Sequence, residues 1–168
     1  MILILLYLCA AVLANLSVAY FGPVMIPVNS FLLIGLNITT RDGLHERWKG
    51  PYLWLKMLLL IGSGSLITYV LNRGAARIAF ASFLAFVLAG LADTIIYHFL
   101  IKKGRFAKVN GSNAVSALVD SLIFPTIAFG AVMPGIIATQ YIMKITGGFI
   151  WSLILSRVLW RKQEAKNV

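Results

Sequence analysis

Three charged residues, Asp93, Asp120 and Lys144, lie inside long apolar stretches of the chain. A charged side chain in the middle of a membrane costs about 3 kcal/mol on insertion scales, so such residues normally face a protein interior and have a partner. Each of the three lies seven or eight residues from the end of its apolar stretch, which is ~10–12 Å along a helix. We therefore expect all three near the middle of the membrane, where they could meet.

The helical neighbours of these charges are polar or aromatic, where a lipid-facing stripe would be aliphatic. Carboxylates accept N–H bonds, Lys and Gln donate to carbonyl groups, and aromatic rings offer flat faces for stacking. This combination suits the edge of a guanine-like base, which presents N–H donors beside a carbonyl acceptor. The predicted binding residues are Asn15, Phe86, Asp93, Asp120, Phe124, Gln140, Lys144 and Trp151.

Two alternative roles for the same charges stay open. A buried Asp–Lys pair could simply hold helices together, with Gly147 and Gly148 as small contact residues. Such a packing role leaves one carboxylate without a counter-charge. The second alternative is an inorganic cation bound between two aspartates, although the nearby lysine and aromatic rings are unfavourable for it.

The elements that must position these residues are membrane-spanning helices. The chain has 168 residues, of which 60% are hydrophobic and 12% charged, with a mean hydropathy of +0.90, and this is too little polar surface for a soluble globule. Six stretches are long enough to cross the ~30 Å hydrocarbon core. They are residues 2–20, 24–40, 52–71, 78–101, 113–133 and 136–160.

The second stretch contains Pro23 at its edge and Pro27 inside it, so we expect a break in its backbone hydrogen bonds. Broken helices near the middle of a membrane are common in transporters. The first stretch begins without Lys or Arg, unlike a signal peptide, and is predicted to remain as the first helix.

The 15 Lys and Arg outnumber the 5 Asp and Glu, for a formal charge of +10. Most of the basic residues follow the second, fourth and sixth stretches, whereas the opposite side has only Arg73 and Arg77. Because cytoplasmic loops are rich in Lys and Arg, both termini are predicted to be cytoplasmic. The fold class is therefore an all-α integral membrane protein, residues 1–168 forming one domain with six transmembrane helices in one bundle.

Several classes of function are disfavoured. The basic residues lie between apolar stretches, which argues against nucleic-acid binding. A single Cys9 and only two histidines argue against a metal centre or haem, so no metal and no other cofactor is expected. No nucleotide-binding G-x-x-x-x-G-K-[ST] loop and no hydrolase motif occurs, so we predict that the chain is not an enzyme.

A second group of charges, Arg41, Asp42 and Glu46, follows the second stretch. Asp42 and Glu46 are four residues apart and would share a helix face, where they could clamp a basic residue of another cytoplasmic segment. This arrangement could form a cytoplasmic gate, or it could be an interfacial salt-bridge cluster.

Five segments of the chain resemble the VUT family of queuosine precursor transporters. They are ANLSVAYFGP at 14–23, TTRDGLHERWKG at 39–50, ARIAFASFLAFVLAGLADTIIY at 76–97, NAVSALVDSLIFPTIAFG at 113–130 and QYIMKITGGFIWSLIL at 140–155. The resemblance implies a six-helix protein of the inner membrane that imports a 7-deazaguanine base such as preQ0 or preQ1. It implies a fold similar to the substrate-binding subunits of energy-coupling-factor importers.

The resemblance also places the membrane acids and lysine of the family at Asp93, Asp120 and Lys144, and its Asp-x-x-x-Glu element at Asp42 and Glu46. The chain departs from the family pattern in the loop before Gly50, where it has Trp48 and an extra residue. This departure leaves the preferred deazapurine open.

Two transport roles stay open at this level. The chain could be a stand-alone transporter with a small-molecule substrate, or the binding subunit of a larger ATP-driven importer. Ala10 and Ala14 form a small-x-x-x-small contact that could dock such an energising partner. A homo-oligomer is equally compatible with the pattern.

Overall fold

The structure is a computed structural model that describes residues 1–48, 50–100, 105–155 and 157, with side chains for all of these except Glu46, Tyr97 and 105–110. All regular structure in this part of the chain is helical. The elements are α1 (Ile2–Phe21), α2 (Met25–Asn29), a π-helical segment (Ser30–Ile34), α3 (Gly35–Arg47), α4 (Leu53–Leu71), a 3-10 turn (Arg73–Ala75), α5 (Ala76–Phe99), α6 (Arg105–Phe129) and α7 (Pro134–Leu155).

Helices α1, α4 and α5 begin and end within two residues of the predicted stretches. Helix α6 begins at Arg105, eight residues before the predicted start at 113, and ends at Phe129. The next residue, Gly130, has a φ of 74° and its N–H bonds to the Thr126 carbonyl. This left-handed conformation favours glycine and turns the chain towards α7.

The second predicted stretch differs most from expectation. Pro23 lies in the turn between α1 and α2, but the stretch is not broken at Pro27 and continues as helical backbone through α2, the π segment and α3 up to Arg47. Pro27 lacks an N–H, and about two turns later the Gly35 N–H bonds to the Ser30 carbonyl, five residues back. The irregularity expected from the prolines is thus a change of helix type, and segments of this type occur often at functional sites.

The helices pack in a closed ring, in which α1 contacts α4, α4 contacts α5, α5 contacts α6, α6 contacts α7, α7 contacts α3, and α3 contacts α1. We call the end of the bundle where α1 begins and α3 ends the basic end; there Leu3 lies against Gly43. At the opposite end the Arg77 Nε donates to the Ile127 carbonyl at 2.8 Å, which joins the start of α5 to the end of α6.

The surface of the bundle is apolar. Large hydrophobic side chains such as Leu13, Leu59, Leu66 and Ile95 are exposed, as expected for contact with lipid rather than water. Four helical segments are long and apolar enough to cross a membrane, at Ile2–Phe21, Leu53–Leu71, Arg73–Ile96 and Gly111–Phe129. The other two predicted spans are outside this set; the second is divided into three segments, and α7 contains Gln140 and Lys144.

The apolar core lies towards the basic end. Its buried members come from α1, α3, α4 and α5: Leu3, Tyr7, Leu44, Met57, Leu60, Ile61 and Phe86. Phe86 stands at one edge of this cluster, on the side that faces the middle of the bundle.

Candidate functional site

A buried ion pair joins α6 to α7. The Lys144 Nζ donates to the Asp120 Oδ2, and Ser121 Oγ lies 3.4 Å from the same nitrogen. Lys144 is 1% exposed and Asp120 is 6% exposed. Removing two charges from water is costly, so both are stable at this depth only while they remain paired.

This pair lies in the wall of a cavity enclosed by α1, α2, the π segment, α5, α6 and α7. The space open to the centres of water molecules is about 30 Å³, room for about two waters. The lining residues are Ala14, Asn15, Val18, Ile26, Asn29, Ser30, Ile34, Ser82, Phe86, Asp120, Phe124, Gln140 and Lys144. The cavity thus collects six of the eight predicted binding residues: Asn15, Phe86, Asp120, Phe124, Gln140 and Lys144.

One acceptor in the cavity has no hydrogen-bond partner among the described residues. It is the Oε1 of Gln140, a residue that is only 2% exposed. Gln140 precedes Lys144 by one helical turn on α7, so both side chains point the same way. A buried carbonyl oxygen without a donor is costly, and its position on the cavity wall marks where a donor from a bound molecule would be favourable.

The asparagine side chains of the cavity are held by neighbouring helices. Asn15 Nδ2 donates to Thr68 Oγ1 at 3.3 Å, which ties α1 to α4. Asn29 Nδ2 donates to the Ala14 carbonyl at 3.1 Å and to Ser17 Oγ at 2.6 Å. These bonds fix the amide groups and hence the shape of the cavity wall.

A close helix crossing positions Lys144. A Cβ on Gly35 would lie 2.6 Å from the backbone carbonyl carbon of Gly147, and a Cβ on Gly147 would overlap the backbone oxygen of Phe31. Only glycine allows such an approach. Because Lys144 precedes Gly147 by one turn, this crossing holds its side chain against the cavity.

Asp93 does not reach this cavity, contrary to the expectation that all three charges meet. Phe86, which lines the cavity with Asp120, precedes Asp93 by seven residues, or ~10 Å along α5. The prediction placed all three charges at one depth, whereas α6 begins at Arg105, eight residues before its predicted start. Asp93 lies nearer to the basic end than the cavity does.

Asp93 instead lies close enough to the predicted gate residue Arg41 on α3 for their charges to interact. The Arg41 Nη2 lies 3.5 Å from Asp42 Oδ1. The third gate residue, Glu46, is on α3, but its side chain lies outside the described part of the structure. Residues 102–104, which belong to a basic cytoplasmic segment that the gate could clamp, also lie outside it.

Two other expectations need correction. Trp151 is not part of the cavity lining; it follows Lys144 by seven residues, two turns nearer to the basic end. Ala10 and Ala14 cannot dock a partner in this conformation, because they are only 2% and 4% exposed and face the inside of the bundle. The same rotation of α1 that buries them turns Asn15 inward.

Some lining residues were not predicted. Ser30 and Ile34 lie in the π segment, which has no sequence pattern of its own, and Ile26 is an apolar residue in a chain full of them. Among the described residues, no group of three or more His, Cys, Asp or Glu side chains could hold a metal ion.

The fold and the site define a helical membrane protein with a polar, charge-paired cavity enclosed by its apolar helices. The family model described as "Putative vitamin uptake transporter" matches residues 3–158. Because this match covers nearly the whole chain, the protein belongs to that family of transporters, in agreement with the expectation that it is not an enzyme. No curated protein and no solved structure matches the chain.

Proposed function

We propose that the protein imports a queuosine precursor, a 7-deazaguanine base such as preQ0 or preQ1, across the inner membrane. The base binds in the cavity lined by Asp120, Gln140 and Lys144. In this proposal six helices cross the membrane, with both termini in the cytoplasm, and the segment from α2 to α3 forms the second crossing.

One observation carries the proposal: the unpartnered Gln140 Oε1 lies beside a buried carboxylate in a cavity that also contains aromatic rings. The ring N–H and amino groups of a deazaguanine can donate hydrogen bonds to these two acceptors, and the Lys144 ammonium can donate to the ring carbonyl. Phe86 and Phe124 supply flat apolar faces for the ring. Family membership and the resemblance to queuosine precursor transporters support the same substrate class.

Binding requires the cavity to widen. A bicyclic base is several times larger than a water molecule, and the cavity of about 30 Å³ holds only about two waters. Phe86 and Phe124 border the cavity, and Phe124 is only partly buried, so their side chains are the groups that can move at least cost. Entry of a base would also open the direct contact between Lys144 and Asp120, whose hydrogen bonds the base then replaces.

Uptake of labelled preQ1 into cells that lack their own transporter tests the proposal. The wild-type chain is expected to confer uptake, and Asp120→Asn is expected to reduce it at least ~30-fold, since losing one member of a buried charged contact costs about 2 kcal/mol or more. Thr146→Val is the matched control, because the exposed Thr146 hydroxyl bonds only to carbonyls of its own helix.

A charge swap separates binding from packing. Asp120→Lys combined with Lys144→Asp keeps an ion pair between α6 and α7 but moves the carboxylate to the other helix. If the pair only holds the helices together, the double variant regains uptake. We expect it to regain folded protein but not uptake, and full recovery of uptake would exclude the cavity as the binding site.

Purified protein in liposomes distinguishes a stand-alone transporter from a subunit of an energised importer. We expect preQ1 flux from this chain alone. Absence of flux, with preQ1 binding retained, would favour the subunit role. A response to an imposed pH gradient would establish proton coupling.

A further inference from the structure

Two buried polar atoms on the basic side of the cavity have no hydrogen-bond partner among the residues that the structure describes. They are the Tyr7 hydroxyl and the Asp93 Oδ1. Tyr7 is 1% exposed, and its hydroxyl lies beside the Asn37 side chain without the geometry of a hydrogen bond. Among the described side chains, the only other atom of this kind is Gln140 Oε1 in the cavity. Such groups are rare in folded proteins and are satisfied by water or by a ligand.

Arg41 lies close to both residues. It follows Asn37 by one turn on α3, and the Asn37 side-chain amide donates to the Tyr7 carbonyl at 3.2 Å. The Arg41 charge also interacts with Asp42, Asp93 and Tyr7, which lie on three different helices. We call Tyr7, Arg41, Asp42 and Asp93 the Arg41 cluster. Two carboxylates and one guanidinium leave it with one formal negative charge among the described groups, whereas Asp120 and Lys144 balance each other.

Along two helices, the Arg41 cluster lies next to the cavity on the side of the basic end. Tyr7 precedes the cavity residue Ala14 by seven residues on α1, and Asp93 follows the cavity residue Phe86 by seven residues on α5. Seven residues are two helical turns, so both side chains share the cavity-facing side of their helix, ~10 Å nearer to the basic end. Phe86 lines the cavity and also packs in the apolar cluster that contains Tyr7. Its ring therefore separates the two polar regions.

We propose that Tyr7, Arg41 and Asp93 form a second binding position for the transported base, which the base reaches from the cavity by passing Phe86. This inference rests on the proposed function. Asp93 Oδ1 accepts an N–H of the base, the Tyr7 hydroxyl donates to or accepts from its edge, and the Arg41 guanidinium donates to its carbonyl. The excess negative charge suits a substrate with an additional donor group, such as the aminomethyl group of preQ1.

The test compares equilibrium binding with flux in the same purified variants. Binding of labelled preQ1 is measured in detergent and flux in liposomes, for wild type, Tyr7→Phe, Asp93→Asn and Asp120→Asn. We expect the preQ1 affinity of Tyr7→Phe and Asp93→Asn to stay within ~3-fold of wild type. Their flux should fall about 5-fold and about 10-fold, respectively, because the first variant loses a neutral hydrogen bond and the second a charged one. Asp120→Asn is expected to lose binding itself.

Tyr7→Phe keeps the ring and removes only a hydroxyl without a partner, so its unfolding temperature should not fall. Thr94→Val is the matched control next to Asp93, because the exposed Thr94 hydroxyl bonds only to the Gly90 carbonyl; it should keep both binding and flux. Normal flux in Tyr7→Phe and Asp93→Asn would overturn the second position. Loss of binding in Asp93→Asn as large as in Asp120→Asn would also overturn it, because the two carboxylates would then serve one site. Wild-type protein that binds no preQ1 would instead overturn the proposed function, and the second position with it.

Discussion

The cavity and the Arg41 cluster differ in how their buried charges are balanced. In the cavity, Lys144 contacts Asp120 directly, and both are almost completely buried. In the Arg41 cluster, Arg41 contacts Asp42 and interacts with Asp93 only through its charge, the Asp42 side chain is 47% exposed and Asp93 Oδ1 has no partner among the described residues. A closely paired site keeps its shape without a ligand, whereas a loosely paired site has more to gain from one.

The largest effect is expected from breaking the closer pair. Lys144→Met leaves Asp120 buried without a counter-charge and should cost about 3–5 kcal/mol of stability. Arg41→Met should cost about 1 kcal/mol, because the half-exposed Asp42 is already in contact with solvent. Thermal unfolding of the purified variants measures both.

A second substitution checks the reason for that loss. Adding Asp120→Leu to Lys144→Met removes the unpaired carboxylate and should restore most of the unfolding temperature, but not preQ1 binding. Equal losses in Lys144→Met and Arg41→Met would show that the two regions do not differ in the way described.

A smaller effect is expected at the helix crossing that positions Lys144. Gly147→Ala places a Cβ on the Phe31 backbone oxygen, which the π segment and α7 can relieve only by moving apart, at a cost of about 1–3 kcal/mol. Gly148→Ala is the matched control, since nothing lies within 4 Å of its Cβ position. We expect Gly147→Ala to lower preQ1 binding and Gly148→Ala to leave it unchanged; similar behaviour of the two would show that the close approach does not shape the cavity.

The smallest effect is expected at the end of the bundle farthest from the Arg41 cluster. Arg77→Gln loses the bond to the Ile127 carbonyl and should cost about 1 kcal/mol. Arg73→Gln, at an exposed residue of the same end, serves as the control. Arg77 joins α5 to α6 nearer to the cavity than to the Arg41 cluster. Its loss should therefore weaken preQ1 binding slightly without reducing the flux per bound substrate. A selective loss of flux would contradict this.

The charges and spans differ in how far they could be predicted. The bounds of α1, α4 and α5 follow from apolar stretches that charges interrupt, and Lys144 was expected to have a carboxylate partner because an unpaired ammonium is costly at that depth. The inward side of α1 could not be predicted in the same way. Asn15 was predicted to line the site, but most other residues of this helix are apolar, so the pattern did not show that Ala10 and Ala14 also face inward.

The π segment and the close approach of Gly35 to Gly147 were not predictable either. The prolines predicted an irregularity but not its type, and the close approach joins residues more than a hundred positions apart in the chain. Gly147 was recognised as a small contact residue, but its neighbour across the crossing was not.

The amino-acid sequence by itself determined that this chain lies in a membrane and that a few charged groups must find partners inside it, because the cost of placing a side chain in lipid depends on its chemistry and depth. Only the tertiary structure decided which carboxylate Lys144 meets. That choice depends on the level that each carboxylate takes along its own helix relative to α7, which packing between the helices sets. Asp120 lines the cavity with Phe86, whereas Asp93 lies two helical turns beyond Phe86 on α5, so two polar regions form where one was expected.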